Sequence, residues 1–175
     1  MQPKSIYTKL AHETIEKYLL NNQKPNKNEY LNKELEKRAG CFVTLHNKED
    51  DSLRGCIGTI IPYYSSLFEE IVENAIASAT RDPRFSPVEY NELNNLYISV
   101  DILTEPILIE SIDELDPKKY GVIVSDGYRK GVLLPDLDGV DSVIYQLDIA
   151  KQKAGIYKNG YDGLDIYKFE SKRYY

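Results

Sequence analysis

Cys41-Phe42-Val43-Thr44-Leu45-His46 and Leu53-Arg54-Gly55-Cys56-Ile57-Gly58, separated by the polar stretch Asn47–Ser52, decide the fold class of this 175-residue chain. Both runs are short, and read as two strands joined by a turn. Side chains on a strand alternate between faces. Leu53, Gly55 and Ile57 therefore share one face, while Arg54, Cys56 and Gly58 share the other. With a turn of odd length, Cys41, Val43 and Leu45 fall on the side of Leu53 and Ile57. Cys41 is then a core residue and a Cys41–Cys56 disulfide is disfavoured; a register change of one residue reverses that conclusion.

Working outward from the hairpin, the period changes. Tyr7, Leu10, Ala11, Thr14, Ile15, Tyr18 and Leu19 recur at helical spacing and predict an amphipathic helix from near Ser5 to Asn21. Asn28 is expected to cap a shorter helix carrying Leu31 and Leu35, closed by Gly40. Ser66 and Glu69 form a capping-box pattern ahead of a helix with Leu67, Ile71, Ala75 and Ala79 on one side. Its acidic residues Glu69, Glu70 and Glu73 lie largely elsewhere, and Pro83 stops it. In Leu96–Leu103, Leu96, Ile98, Val100 and Ile102 alternate with Tyr97, Ser99 and Asp101. Gly121–Val124 and Gly131–Leu134 read as a second hairpin. Val140, Val143, Ile144, Leu147 and Ala150 mark a last helix ended by Gly155, and Leu164–Phe169 is a final strand. Strands gather in hairpins and do not alternate regularly with helices. That pattern predicts an α+β fold with a largely antiparallel sheet flanked by helices. The polar stretch Asn21–Asn28 reads as a linker with too little before it to form a core. Residues 1–175 are thus read as a single domain, of which 1–27 are the N-terminal helix and linker.

Apolar content of 42% and charged content of 29% are ordinary for a water-soluble globular chain. The net charge of −6 disfavours a nucleic-acid partner. No run approaches the ~18 apolar residues of a membrane span, so no membrane association is expected. Met1–Ser5 lacks the apolar region of a signal peptide, and there are only two cysteines. A cytoplasmic, thiol-reduced location is the expectation.

The chemistry-bearing residues are few. On the face away from the core, Arg54 and Cys56 are expected about 7 Å apart at the backbone. A guanidinium there favours the thiolate and lowers the thiol pKa from about 8.5. Gly55 and Gly58 leave room for a ligand or another backbone to approach. A structural reading stands beside this one, with Cys56 as a small packed filler and the glycines marking a bulge. Ala79–Pro87 carries Arg81, Asp82 and Arg84 in a proline-bounded loop. The arginines suit an anionic group; equally, Asp82 and an arginine suit a helix-terminating turn. Lys151 and Lys153, in the last turn of the final helix, are explained by its dipole alone. No phosphate loop, dinucleotide fingerprint, nucleophile elbow or metal-ligand spacing is present. Any histidine-dependent nucleophile would have to use His12 or His46, and His46 is expected far along the sheet from Cys56.

Gly40–Leu45, LRGCIG at 53–58, Asp82-Pro83-Arg84-Phe85-Ser86-Pro87-Val88, Gly121–Val124, Gly131–Pro135 and Lys153-Ala154-Gly155 occur in that order. Together they resemble the AMMECR domain family, called AmmeMemoRadiSam system protein A in prokaryotes, over a core of about 40–170. The resemblance implies two unequal lobes around an antiparallel sheet, with a cleft between them. It implies a Memo-like protein and a radical SAM protein as partners, and names neither a reaction nor a cofactor. The matching positions are Arg54, Gly55, Cys56, Gly58, Asp82, Arg84, Phe85 and Lys153. The chain departs from the family pattern at Asp136, at Ala150 and near Tyr161, where glutamine, cysteine and tryptophan are common. Two functions follow. One is a cleft-binding component or adaptor for those partners. The other is an enzyme using Cys56 as a reactive thiol, with Arg54 tuning it. Arg81 and Arg84 would then hold a small anionic or nucleotide-like substrate.

Overall fold

Ser5 accepts a hydrogen bond from the Thr8 amide at 3.1 Å and so begins the first helix of the computed structural model, which describes residues 4–175. The reading of Met1–Pro3 as the start of a leaderless chain lies outside the described residues. In chain order the first elements are α1 (Ile6–Asn21), α2 (Lys33–Glu36), β1 (Cys41–Asn47), β2 (Leu53–Thr59), α3 (Leu67–Thr80) and β3 (Leu96–Leu103). Then follow β4 (Ile107–Leu108), β5 (Gly121–Ser125), β6 (Lys130–Leu133), α4 (Val143–Lys153), β7 (Asp165–Phe169) and β8 (Ser171–Tyr174). The chain divides into two compact units, Met1–Leu103 with Lys172–Tyr175, and Thr104–Ser171. Where a single sheet was expected, the described residues form two, each of four strands.

In the first unit the sheet order is β2-β1-β3-β8, and β1 pairs antiparallel with both β2 and β3. Cys41, Val43 and Leu45 of β1 and Ile98 and Val100 of β3 pack into one core with Leu10 and Ile15 of α1 and Ile71 and Ala75 of α3. Asn22 ends α1 in the left-handed conformation, and Ser66 caps α3 by accepting from the Glu69 amide. Three expectations are corrected here. Asn26 and Asn32 each accept from the amide two residues on, which breaks the stretch expected as one helix into a 3-10 turn and the short α2. Gly40 caps nothing; it leads into β1, where a Cβ would stand 2.2 Å from the Ile60 carbonyl oxygen. Glu70 is fully buried rather than turned outward, accepting from the Thr59 hydroxyl and from the Tyr64 amide.

In the second unit the order is β4-β7-β5-β6, with every ladder antiparallel. Val122, Val124, Leu133, Leu147, Ala150 and Ile166 form its core, under α4. Gly131 is required by close approach: a Cβ would lie 1.8 Å from the Ala150 carbonyl oxygen. Among the described residues, no helix is long and apolar enough to cross a membrane.

Candidate functional site

The β1–β2 register settles the two cysteines. Thr44 pairs with Cys56 and Val43 with Ile57, so Cys56 lies on the face opposite Cys41. Both thiols are free. Cys41 is fully buried, and burial pushes its thiol up to about 12. Between Leu45 and His46 the register slips, pairing Leu45 with Gly55 but His46 with Leu53. Arg54 is therefore the extra residue of a bulge, which re-aims its side chain. Leu53, expected in the core, is 36% exposed.

That bulge separates the proposed pair. Arg54 donates Nε and Nη2 to the Glu92 carboxylate at 3.0 and 3.1 Å, and Nη1 to the Ser86 carbonyl at 3.0 Å. Burial pushes the Glu92 carboxyl up, but Arg54 and the Glu89 amide outweigh it and hold the group low. Arg54 thus tunes Glu92, and the cation that acts on Cys56 is Arg84.

Asp82 and Arg84 grip the outer edge of β2. The Cys56 amide donates to Asp82 Oδ2 at 2.9 Å, and Arg84 Nη2 donates to the Cys56 carbonyl at 3.2 Å. Arg84 Nε and Nη2 also donate to Asp82 at 2.9 and 2.7 Å. The Arg84 guanidinium, helped by the Cys56 amide, holds the nearly buried Asp82 carboxyl far below the usual carboxylate range. Phe85 sits between two cations, its ring 6.0 Å from Arg54 and 5.5 Å from Arg84. Arg81 is not part of this constellation; it is exposed, with Glu73 as its nearest carboxylate at 4.0 Å. Lys153 belongs to the second unit, exposed on the last turn of α4.

The glycines serve packing. A Cβ on Gly55 would stand 2.3 Å from the Ser78 carbonyl oxygen of α3. One on Gly58 would meet the Phe42 ring at 2.3 Å and the Cys41 carbonyl oxygen at 2.5 Å. The space expected beside Cys56 is filled by the protein itself.

Beyond Cys56 the same sheet face carries further polar residues. Thr44 Oγ1 donates to Cys56 Sγ at 3.3 Å. Ser99, paired with Thr44, lies 3.2 Å from His46 Nε2, and His46 stacks on Tyr97. Burial lowers the His46 pKa, so the ring is neutral near pH 7. Arg173 of β8 forms a bidentate pair with the buried Asp101 at 2.9 and 3.1 Å. Ser99 and Asp101 alternate with the apolar residues of β3, and their place opposite Thr44 and Phe42 is what brings them to this face. Around Cys56, burial raises the thiol pKa; Thr44 and Arg84 pull it down, Asp101 and Asp82 push it up, and the balance is a raised value. A separate hollow of about 580 Å³ runs along α1 past His12, Glu13 and Leu20, sharing no residue with this face.

The family model AMMECR1 matches residues 8–174, spanning both units. The chain belongs to the AMMECR1 family. A Thermotoga maritima protein is 52% identical, over 96% of each chain. A Clostridium acetobutylicum protein is 44% identical over 99% of this chain, which spans 36% of that longer protein. The crystal structure of an uncharacterised protein from Pyrococcus horikoshii superposes with a TM-score of 0.85 at 33% identity, covering 95% of this chain and 88% of that one. In this AMMECR1-family member the LRGCIG and DPRF motifs thus form one local structure, an edge strand and the side chains that hold it.

Proposed function

We propose that this AMMECR1-family protein is a binding component or adaptor that works with Memo-like and radical SAM proteins and performs no covalent chemistry of its own. The observation that carries the reading is the setting of Cys56. Its thiol is held toward the neutral form, and the two nearest motif arginines are engaged by Glu92 and Asp82. A nucleophilic cysteine needs the thiolate. The longer Clostridium relative lends support, since there the matching region is one part of a larger chain. The competing reading, Cys56 as a reactive thiol on a small anionic substrate, draws on the Thr44 hydrogen bond and the Arg84 charge, both of which favour the thiolate.

Two measurements test the proposal. Purified Memo-like and radical SAM proteins are titrated into this chain by calorimetry, and saturable binding is expected. Cys56 alkylation is followed against pH by peptide mass spectrometry. An apparent pKa above about 8.5 is expected; fast alkylation at pH 6 would transfer support to the thiol enzyme.

A further inference from the structure

We infer that the free edge of β6 docks an extended acidic segment of a partner protein by strand addition. This rests on the adaptor reading and gives it a surface.

Edge strands are usually guarded. The β2 edge is held by Asp82 and Arg84. The β4 edge is two residues long, follows Pro106, and has the next outward amide, that of Glu110, taken by Glu114 at 2.8 Å. At β8 the Tyr175 carbonyl accepts from the Lys4 amide at 3.1 Å.

The β6 edge differs. Asp126 N donates to the Arg129 carbonyl at 3.2 Å, and the ladder then pairs Ser125 with Lys130, Val124 with Gly131 and Ile123 with Val132. Alternation makes Gly131 and Leu133 the residues that exchange bonds with β5. The amides and carbonyls of Lys130 and Val132 point away from β5. Among the described residues, neither backbone has a hydrogen-bond partner.

Gly131 lets the last turn of α4 lie on this strand, a Cβ there meeting Ala150 O at 1.8 Å and Ala154 N at 2.8 Å. The Gly131–Pro135 and Lys153–Gly155 motifs are thereby brought together: exposed Lys153 adjoins the Ala154 that lies over Gly131, and exposed Lys130 stands on the opposite face of the same strand. Neighbouring cations are already engaged: Arg129 pairs with Asp126, and Lys151 donates to the Gly160 carbonyl at 3.0 Å. Among the described residues, Lys130 and Lys153 form no ion pair. At the hairpin tip Tyr128 is 98% exposed. The Arg129 guanidinium ties that tip to the Gly155 carbonyl. An edge with two free lysines selects an acidic strand, and it repels a second copy carrying the same lysines.

The test uses an alternating valine–glutamate hexapeptide as probe and a valine–lysine hexapeptide as control. Fluorescence anisotropy gives affinity and amide NMR gives the site. Binding of the acidic peptide is expected to slow exchange of the Lys130 and Val132 amides at least ~10-fold. Lys130→Glu and Lys153→Glu are expected to weaken it at least ~5-fold each. Val132→Pro, which removes an outward N–H at an edge position, should abolish it. Should that variant fail to fold, the two surface lysine reversals still decide. Equal affinity for both peptides, protection elsewhere, or a dimer lost in Lys130→Glu would overturn the inference. Calorimetry with the Memo-like and radical SAM proteins separates it from the adaptor reading. Undiminished binding by the lysine variants removes the β6 surface and leaves the adaptor. An acidic peptide docked on β6 with no binding to either protein does the reverse.

Discussion

A cysteine's chemistry is set by the few groups within reach of its sulfur. For Cys56 those are the Thr44 hydroxyl, the Arg84 charge, two carboxylates and the apolar surroundings. Arg84→Ala removes one of the two stabilisers of the thiolate, so its Cys56 is expected to titrate higher than wild type in an alkylation profile. Gly55 poses a packing question instead. Adding a methyl toward the Ser78 carbonyl forces α3 off the strand, and Gly55→Ala should cost about 1–3 kcal/mol in urea unfolding. The opposite facing of Cys41 and Cys56 was expected from alternation across a turn of odd length, yet Asn47–Ser52, between the paired His46 and Leu53, is even, and it is the bulge at Arg54 that restores the facing. That bulge was not legible, because it inserts a residue without leaving a residue type that announces it.

At the scale of elements, side chains finish what the backbone leaves open. Asp82 closes the β2 edge, and its carboxyl is depressed in the folded state by Arg84 and the Cys56 amide. Such a group stabilises fully above its unfolded value of about 3.9 and loses that contribution as pH falls through the folded one. Asp82→Asn is therefore expected to flatten the fall in stability between about pH 4 and pH 2, measured by urea unfolding at each pH. Arg173 performs the matching service for β3. Removing it leaves the buried Asp101 without its partner, but the Arg173 side chain is itself partly exposed, so Arg173→Ala should cost about 1–3 kcal/mol. Asp101→Asn in the same chain should recover part of that loss, which a double-mutant cycle measures. The strands with apolar alternation were legible in advance, as was the Ser66 cap. β8 was not: Ser171-Lys172-Arg173-Tyr174 has no apolar alternation, and its place comes from pairing, from Asp101 and from Tyr174 against Tyr7.

At the scale of the whole molecule, the second unit is a continuous segment inserted between β3 and β8 of the first. Its two ends meet, since the Thr104 amide donates to the Glu170 carbonyl at 3.0 Å. A chain in which residues 104–170 are replaced by an Asn-Gly turn, which keeps Ser171 opposite Leu103, is expected to fold as the first unit, with the Arg173–Asp101 pair intact by NMR. The class of fold followed from clustered hairpins, but its partition into two sheets did not. Each hairpin is local, whereas membership of a sheet depends on which distant strand pairs with it.

The insertion also orders events during synthesis. β1, β2 and β3 leave the ribosome well before β8, so their sheet lacks its fourth strand until Ser171–Tyr174 emerge. At roughly 5–20 residues per second, several seconds pass in which Asp101 has no Arg173 to meet. The inserted unit, contiguous in sequence, is free to mature in that interval. The lobe that begins before the inserted one is completed after it, so a transcript cut just before the Ser171 codon would yield a finished inserted unit carried by an unfinished first one.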